Sequence, residues 1–220
     1  MMKHWVFILS IVVLGYSCNK PTVELPKTLN AKDYFPMDTG MYWIYDVVKI
    51  EIDAPIDKFD TSVFEIKMLS KTFDVDLQHY EFWRFSRADS TSSWENYDIV
   101  TVNSDELTIQ WVENNLRFVK LTNPIVEHKN WDGNIYNILE SWNYNYSDLE
   151  RIFDNEYLSI NNTVKVNQRD LVNILQSERA WEIYGKDIGL VYKYVEVLVL
   201  EANQPKTGTI EEFNLKFYKK

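Results

Sequence analysis

From residue 41 onward, apolar and polar positions alternate along most of the chain, the period-two signature of half-buried β-strands. Residues 41–52 put Trp43, Tyr45 and Val47 on one face and Tyr42, Ile44, Val48, Ile50 and Ile52 mainly on the other. Residues 63–69 turn Phe64, Ile66 and Met68 inward against Glu65 and Lys67 outward. The pattern continues through residues 77–85 and 94–102. Leu107, Ile109 and Trp111 alternate with Thr108 and Gln110, and Asn114-Asn115 then reads as a tight turn into residues 116–121. Asparagine tolerates the positive φ that such a hairpin needs.

The second half is less regular. Trp131-Asp132-Gly133-Asn134 is a turn cluster, and residues 158–166, 189–201 and 209–218 read as strands. One segment carries helical signals instead. Ser147-Asp148-Leu149-Glu150 matches a capping box, and Trp142, Tyr146, Leu149 and Phe153 fall at spacings of three or four, which predicts a short helix. Pro36 precedes Trp43 by seven residues, as Pro124 precedes Trp131. Two such coincidences do not make a repeat.

Ten or so short strands in succession predict an all-β domain. Its antiparallel sheet should curl into a barrel-like or two-layer structure, with at most one or two short helices. Closure would remove the exposed edges through which sheets aggregate.

The first residues follow a different pattern. Lys3 and His4 precede an apolar run from residue 5 to residue 16, and Gly15, Tyr16 and Ser17 flank the single cysteine, Cys18. Those 12 apolar residues would rise about 18 Å as a helix, against about 30 Å of bilayer hydrocarbon. The run is too short to span, and its charged, apolar and small-residue regions are those of a secretory signal peptide. Residues 1–17 are therefore read as the signal, 18–32 as a modified N-terminus with a flexible tether, and 33–220 as one β-rich domain. Pro21 and Pro26 interrupt any periodicity in the tether.

Gly15-Tyr16-Ser17-Cys18 resembles the cleavage region of a bacterial lipoprotein, in which the cysteine at the cut is diacylated. That resemblance implies a lipid anchor on Cys18 and a place in the cell envelope, with the outer membrane expected. The usual pattern has Leu three residues before the cysteine. Here that place is Gly15, so an ordinary signal peptidase would suit the same bond. With no second cysteine, an internal disulfide is excluded, and lipidation would cap an otherwise free thiol.

Three further pieces resemble a group of uncharacterised bacterial lipoproteins. They are Tyr34-Phe35-Pro36 leading to Gly40-Met41-Tyr42-Trp43-Ile44-Tyr45, Thr163-Val164-Lys165-Val166 with Gln168, and the run from Tyr184-Gly185-Lys186 through Asp187-Ile188-Gly189 to Leu190-Val191-Tyr192. The resemblance implies a lipid-anchored β-rich domain and no particular activity.

Composition narrows the partners. The formal net charge is -10 over 220 residues, so phosphate backbones and anionic head groups are disfavoured, and nucleic acid is not expected as a partner. Aromatic residues make up 15% of the chain, enough to fill a strand-rich core with some left for a binding surface. Trp94, within Ser92-Ser93-Trp94-Glu95-Asn96, has the most polar surroundings and is the candidate exposed aromatic for a glycan or an envelope protein.

Candidate chemistry is thin. His79 with Glu81, and Glu127-His128 with Asp132, hold metal-ligand residue types but in two separate segments, so no metal or cofactor is implied. Nucleophile elbows, zincin helices, phosphate loops and dinucleotide fingerprints are all missing from the sequence. The reading is a tethered, non-enzymatic binding or assembly module. A carrier of an apolar ligand inside a curled sheet is the alternative, and a glycan hydrolase using paired carboxylates ranks third.

Overall fold

The computed structural model describes residues 28–53, 58–74 and 79–220. Twelve strands follow a short 3-10 turn at Ala31–Tyr34. They are β1 (Tyr42–Asp53), β2 (Lys58–Asp74), β3 (His79–Arg87), β4 (Glu95–Ser104), β5 (Thr108–Glu113), β6 (Leu116–Thr122), β7 (Asn130–Asp132), β8 (Asn143–Asp154), β9 (Ser159–Val172), β10 (Gln176–Gly185), β11 (Gly189–Glu201) and β12 (Gln204–Lys219). No helix among the described residues is long and apolar enough to cross a membrane.

Each strand pairs antiparallel with its neighbour in sequence, except across one seam, and β1 pairs with β12. Two six-strand meanders are thus joined through β1 and β12, and the sheet curls until β6 faces β7. Trp43 and Trp131, the two tryptophans that follow a proline by seven residues, are each the second residue of the first strand of a meander. The seam between β6 and β7 has no ladder and is sewn by individual bonds. Val119 N donates to Gly133 O at 2.9 Å, and Trp131 Nε1 to Val119 O at 2.8 Å. The Tyr146 hydroxyl bridges both backbone groups of Thr122 at 2.7 and 2.9 Å. The all-β antiparallel sheet expected from the alternation forms, and of the barrel-like and two-layer arrangements it takes the barrel-like one, nearly closed.

Odd-numbered strands run towards one end, here the upper end, and even-numbered strands return to the lower. The lower end is plugged by the segment that leads into β1. Leu29 bridges to Ile125, Ala31 N donates to Asn123 Oδ1 at 2.7 Å, and Asp187 N donates to Asp33 O at 2.6 Å. Leu29, Ala31, Tyr34 and Phe35 are buried, the first two within the stretch read from sequence as tether. Phe35 lies 5.9 to 6.3 Å, ring to ring, from Phe82, Trp111 and Tyr184, which belong to opposite walls. Burying an aromatic of this size is worth about 2 kcal/mol or more, so the plug is an integral layer of the core.

The three pieces that carry the family resemblance meet here. Trp43 Nε1 donates to Ile188 O at 2.5 Å, Tyr45 Oη to Leu190 O at 2.9 Å, and Gly185 pairs with Thr163. Asp187 and Gly189 both have positive φ, and Gly189 lies beside Pro36 and Trp43, so the turn between β10 and β11 sits against the plug, to which the Asp187 amide is bonded.

The helix expected around residues 142–153 does not form. That stretch is β8, with Asp148 and Glu150 at φ of 52° and 53° and register shifts on either side of Arg151. The shift between Ser147 and Arg151 puts extra residues on β8, which breaks its alternation and gives the spacing of three between Tyr146 and Leu149, while the shift after Arg151 puts its extra residue on β9. The apparent capping box is also used differently. Ser147 Oγ accepts from Asn167 Nδ2, while the amides of Asp148 and Leu149 bond the Glu127 carboxylate.

Beyond these bulges the β8–β9 turn bends over the outer face of the sheet. Asn155 Nδ2 donates to Leu215 O at 2.9 Å, beside the register shift of β12, and the Tyr157 hydroxyl bonds Asp46. Glu65, outward as expected, is nonetheless buried beneath Lys216 and Arg87.

Candidate functional site

Inside the barrel, residues of one strand face change character with height. From the lower end upward, β1 presents Trp43, Tyr45 and Val47, then Lys49 and Glu51. In the same direction β3 presents Phe82 then Arg84, and β5 presents Ile109 and Trp111 then Glu113. On the other wall, β12 gives Leu215 and Phe213 then Glu211, β11 gives Val191 then Lys193, and β10 gives Tyr184 then Glu182. Alternation fixes which residues point inward, so each strand carries an apolar half and an ionic half on one face.

A cavity of about 60 Å³ lies at the junction of the two halves. Its floor is Phe35, Pro36, Trp43, Tyr45, Phe82 and Trp111, and its charged lining is Arg84, Glu113, Lys120, Glu182 and Lys193. Side-chain exposure rises from 3% at Glu182 to 56% at Glu51, so the ionic half opens towards the upper end, away from the plug.

Each charge has a partner. Lys120 is the extra residue where β6 shifts register against β5, and the bulge turns it inward to reach Glu182 across the barrel at 2.6 Å. The Tyr184 hydroxyl donates to the other oxygen of Glu182 at 2.6 Å. Arg84 forks onto Asp98 and also contacts Glu113, which accepts from Trp111 Nε1 at 3.0 Å. Lys193 Nζ bonds Glu211 at 3.0 Å.

These pairs set the protonation states. Burial raises the pKa of Glu113, but Arg84 and the Trp111 hydrogen bond outweigh it and hold the carboxyl below its ordinary range. Burial likewise opposes ionisation of Glu182, and the Lys120 ammonium with the Tyr184 hydroxyl turns the balance downward. Lys193 lowers both carboxyls further, although its hydrogen bond goes to Glu211. Tyr45 and Tyr184 are pushed well above the usual phenol range by burial, with Glu182 adding to it. The cavity has an aromatic floor beneath walls that carry ion pairs.

Residues singled out from sequence fall elsewhere. Cys18, Gly15, Tyr16 and Ser17 lie outside the described residues. Trp94, just before β4, is half-buried, with the Arg87 guanidinium 4.2 Å from its ring centre. Among the described tryptophans Trp43 is buried and the other six are half-buried, so the aromatic content largely fills and lines the body.

The histidine segments do not meet as a cluster. The described residues include no group of three or more His, Cys, Asp or Glu placed to hold a metal ion. Glu81 accepts from Trp83 Nε1, Glu127 bonds amides of β8, and Asp132 accepts from the amides of Asn134 and Trp142. Sequence reading missed the cavity residues because Arg84, Glu113, Lys120, Glu182 and Lys193 come from five strands and form no motif. The one available signal was the charge that follows aromatics at i+2 on a common strand face.

Fold and site together define a plugged antiparallel β-barrel with a charged cavity open at one end. No protein-family model matches the sequence, and neither does any curated protein. Among solved structures, a putative lipoprotein from Parabacteroides distasonis ATCC 8503 aligns with 84% of this chain and 98% of its own, at 13% identity and a TM-score of 0.34. Nothing about this chain's activity follows from a superposition that loose.

Proposed function

We propose that the protein is exported, lipid-anchored through Cys18 to a membrane of the cell envelope, and that its barrel is a binding module whose ligand sits in the charged cavity. The supporting observation is polarity along the barrel axis. The chain that leads back to Cys18 enters through the plugged lower end, while the ionic mouth opens at the opposite end. An anchored molecule would present its cavity outward.

The carrier alternative draws little support, because a cavity of about 60 Å³ holds roughly a few waters and the space beneath it is filled with aromatic rings. The hydrolase alternative needs one carboxyl kept protonated as an acid. Glu113 and Glu182 are both held ionised, so that pair does not suit the role.

The anchor is tested by mass spectrometry of the mature N-terminus and by Cys18→Ala. Acylated Cys18, and release of the variant into the soluble fraction, are expected. An unmodified thiol on a soluble native protein would refute the anchor. Binding is tested by thermal shift with small polar compounds, since saturation at 100 times Kd adds about 2.7 kcal/mol. If no compound raises the melting temperature or alters tryptophan emission, the cavity is not a ligand site.

A second reading, an envelope protein docking at the rim, rests on a separate observation. The β7–β8 connection exposes Ile135, Tyr136, Ile138 at 93% and Leu139, and the β9–β10 turn exposes Ile174 and Leu175, all at the upper end. Apolar groups grouped this way at the free end of a soluble body are commonly contact surfaces.

A further inference from the structure

The polar stretch around Trp94 borders a second pocket, separate from the charged cavity. Its volume is about 350 Å³, and it lies on the inner wall of the barrel near the open upper end. Phe64 pairs with the buried Val47, and Ser86 pairs with both Ile66 and Glu95, so alternation turns Phe64, Ser86 and Glu95 into the barrel, above Arg84. We propose that this pocket binds a neutral hexopyranose, its apolar ring face on Tyr97 and Phe64 and its hydroxyls on Ser86, Ser93 and Glu95.

The local backbone builds the pocket. Tyr97 is the extra residue where β4 shifts register against β3, and the bulge leaves it 55% exposed beside the pocket. The preceding turn is shaped without a ligand. Asp89 Oδ1 accepts from the amides and hydroxyls of Thr91 and Ser92 at 2.6 to 3.1 Å, and Arg87 bonds Ser90 O at 3.2 Å. Trp94 belongs to this support. The Arg87 guanidinium that covers its ring also holds Glu65, while Ser93 and Glu95 on either side of it line the pocket.

Unlike the charges of the lower cavity, the polar side chains of this pocket are unpaired. Among the described residues, the hydroxyls of Ser86 and Ser93 and the carboxylate of Glu95 have no hydrogen bond or ion pair. Glu95 disfavours an anion, because Arg84 and Arg87 are already bonded to Asp98, Glu113 and Glu65. The same two guanidiniums disfavour a cation, for Arg84 stands 5.4 Å from the Tyr97 ring centre and Arg87 lines the pocket. A neutral ligand with several hydroxyls and one apolar face meets neither objection. Its hydroxyls would donate to Glu95, and a hydrogen bond to a charged group is stronger than one between neutral groups. The volume falls within the usual range of small-ligand pockets, about 300–1,000 Å³.

The test titrates the full-length protein, in a sugar-free detergent, with D-glucose, D-galactose, D-mannose and N-acetyl-D-glucosamine, following tryptophan emission and binding heat. D-glucosamine as a cation and D-glucuronate as an anion accompany them. Saturable binding of at least one neutral sugar is expected, tighter than either charged one and weakened about tenfold or more by Tyr97→Ala and by Glu95→Ala. Both residues are exposed, so these variants should fold, and an unchanged melting temperature without sugar checks that they do. Tyr97→Phe keeps the ring and should keep most of the affinity. Tighter binding of glucosamine or glucuronate than of every neutral sugar would overturn the ligand class. Binding that survives both alanine variants would overturn the location, and silence from every sugar would overturn the site.

Discussion

Gly133 shows how much a single hydrogen atom can matter here. A Cβ at this position would run into the ring of Tyr144, and the Gly133 carbonyl accepts the Val119 amide that holds β6 to β7. Gly133→Ala should therefore cost about 1–3 kcal/mol by overpacking. Hydrogen exchange should show the Val119 amide losing protection first, and equal loss across the sheet would mean that the seam is not the weak line. Tyr34 predicts the opposite sign. Its ring is fully buried, and its hydroxyl lacks a hydrogen-bond partner. Tyr34→Phe removes that group and keeps the packing, so a gain of up to about 1 kcal/mol is expected in urea unfolding. A loss would show that the hydroxyl is solvated by a bound water.

Among elements, the bulges carry the most information. One turns Lys120 inward to pair with Glu182, and others bend β8 so that its turn clasps β12 and β1. Breaking the first pair should be expensive. Lys120→Met strands a buried carboxylate and should cost about 3–5 kcal/mol, whereas Lys120→Met with Glu182→Leu should recover most of that loss. Calorimetry of the three proteins checks it, and additive losses would mean that the two residues do not act as a pair. Bulges were also where sequence reading failed. A strand with two left-handed residues mimics the spacing of a helix, and only the ladder with β9 separates the two.

Over the whole molecule, pH response follows from groups buried with their partners. Glu113 and Glu182 have folded pKa values below the usual range, so their contribution is present above about pH 4.5 and is lost as pH falls through the folded values. Phenols act at the other end. Tyr34 is pushed up to about 12, chiefly by burial and then by Glu150, Asp33 and Asp187, and Tyr194 to about 12 by burial and Glu196. Their contribution is full below pH 10 and fades between about 10 and 12, as the unfolded phenols ionise first. Melting temperature should thus be flat near neutrality and fall on both sides. A steady rise above pH 10 would contradict the buried phenols.

Alternation alone determined that the chain is antiparallel β and which residues of β1, β2 and β5 share a face, because side-chain direction in a strand is local. The Asn114-Asn115 turn was equally legible, and both residues do have positive φ. Tertiary structure alone decided that β1 would pair with β12, that residues 29–36 would plug one end, and that five charges spread over about 110 residues would line one cavity. Those outcomes depend on strand order and curl, which set distances between residues far apart in sequence. A period of two says which way a side chain points, and the closed sheet says what it meets there.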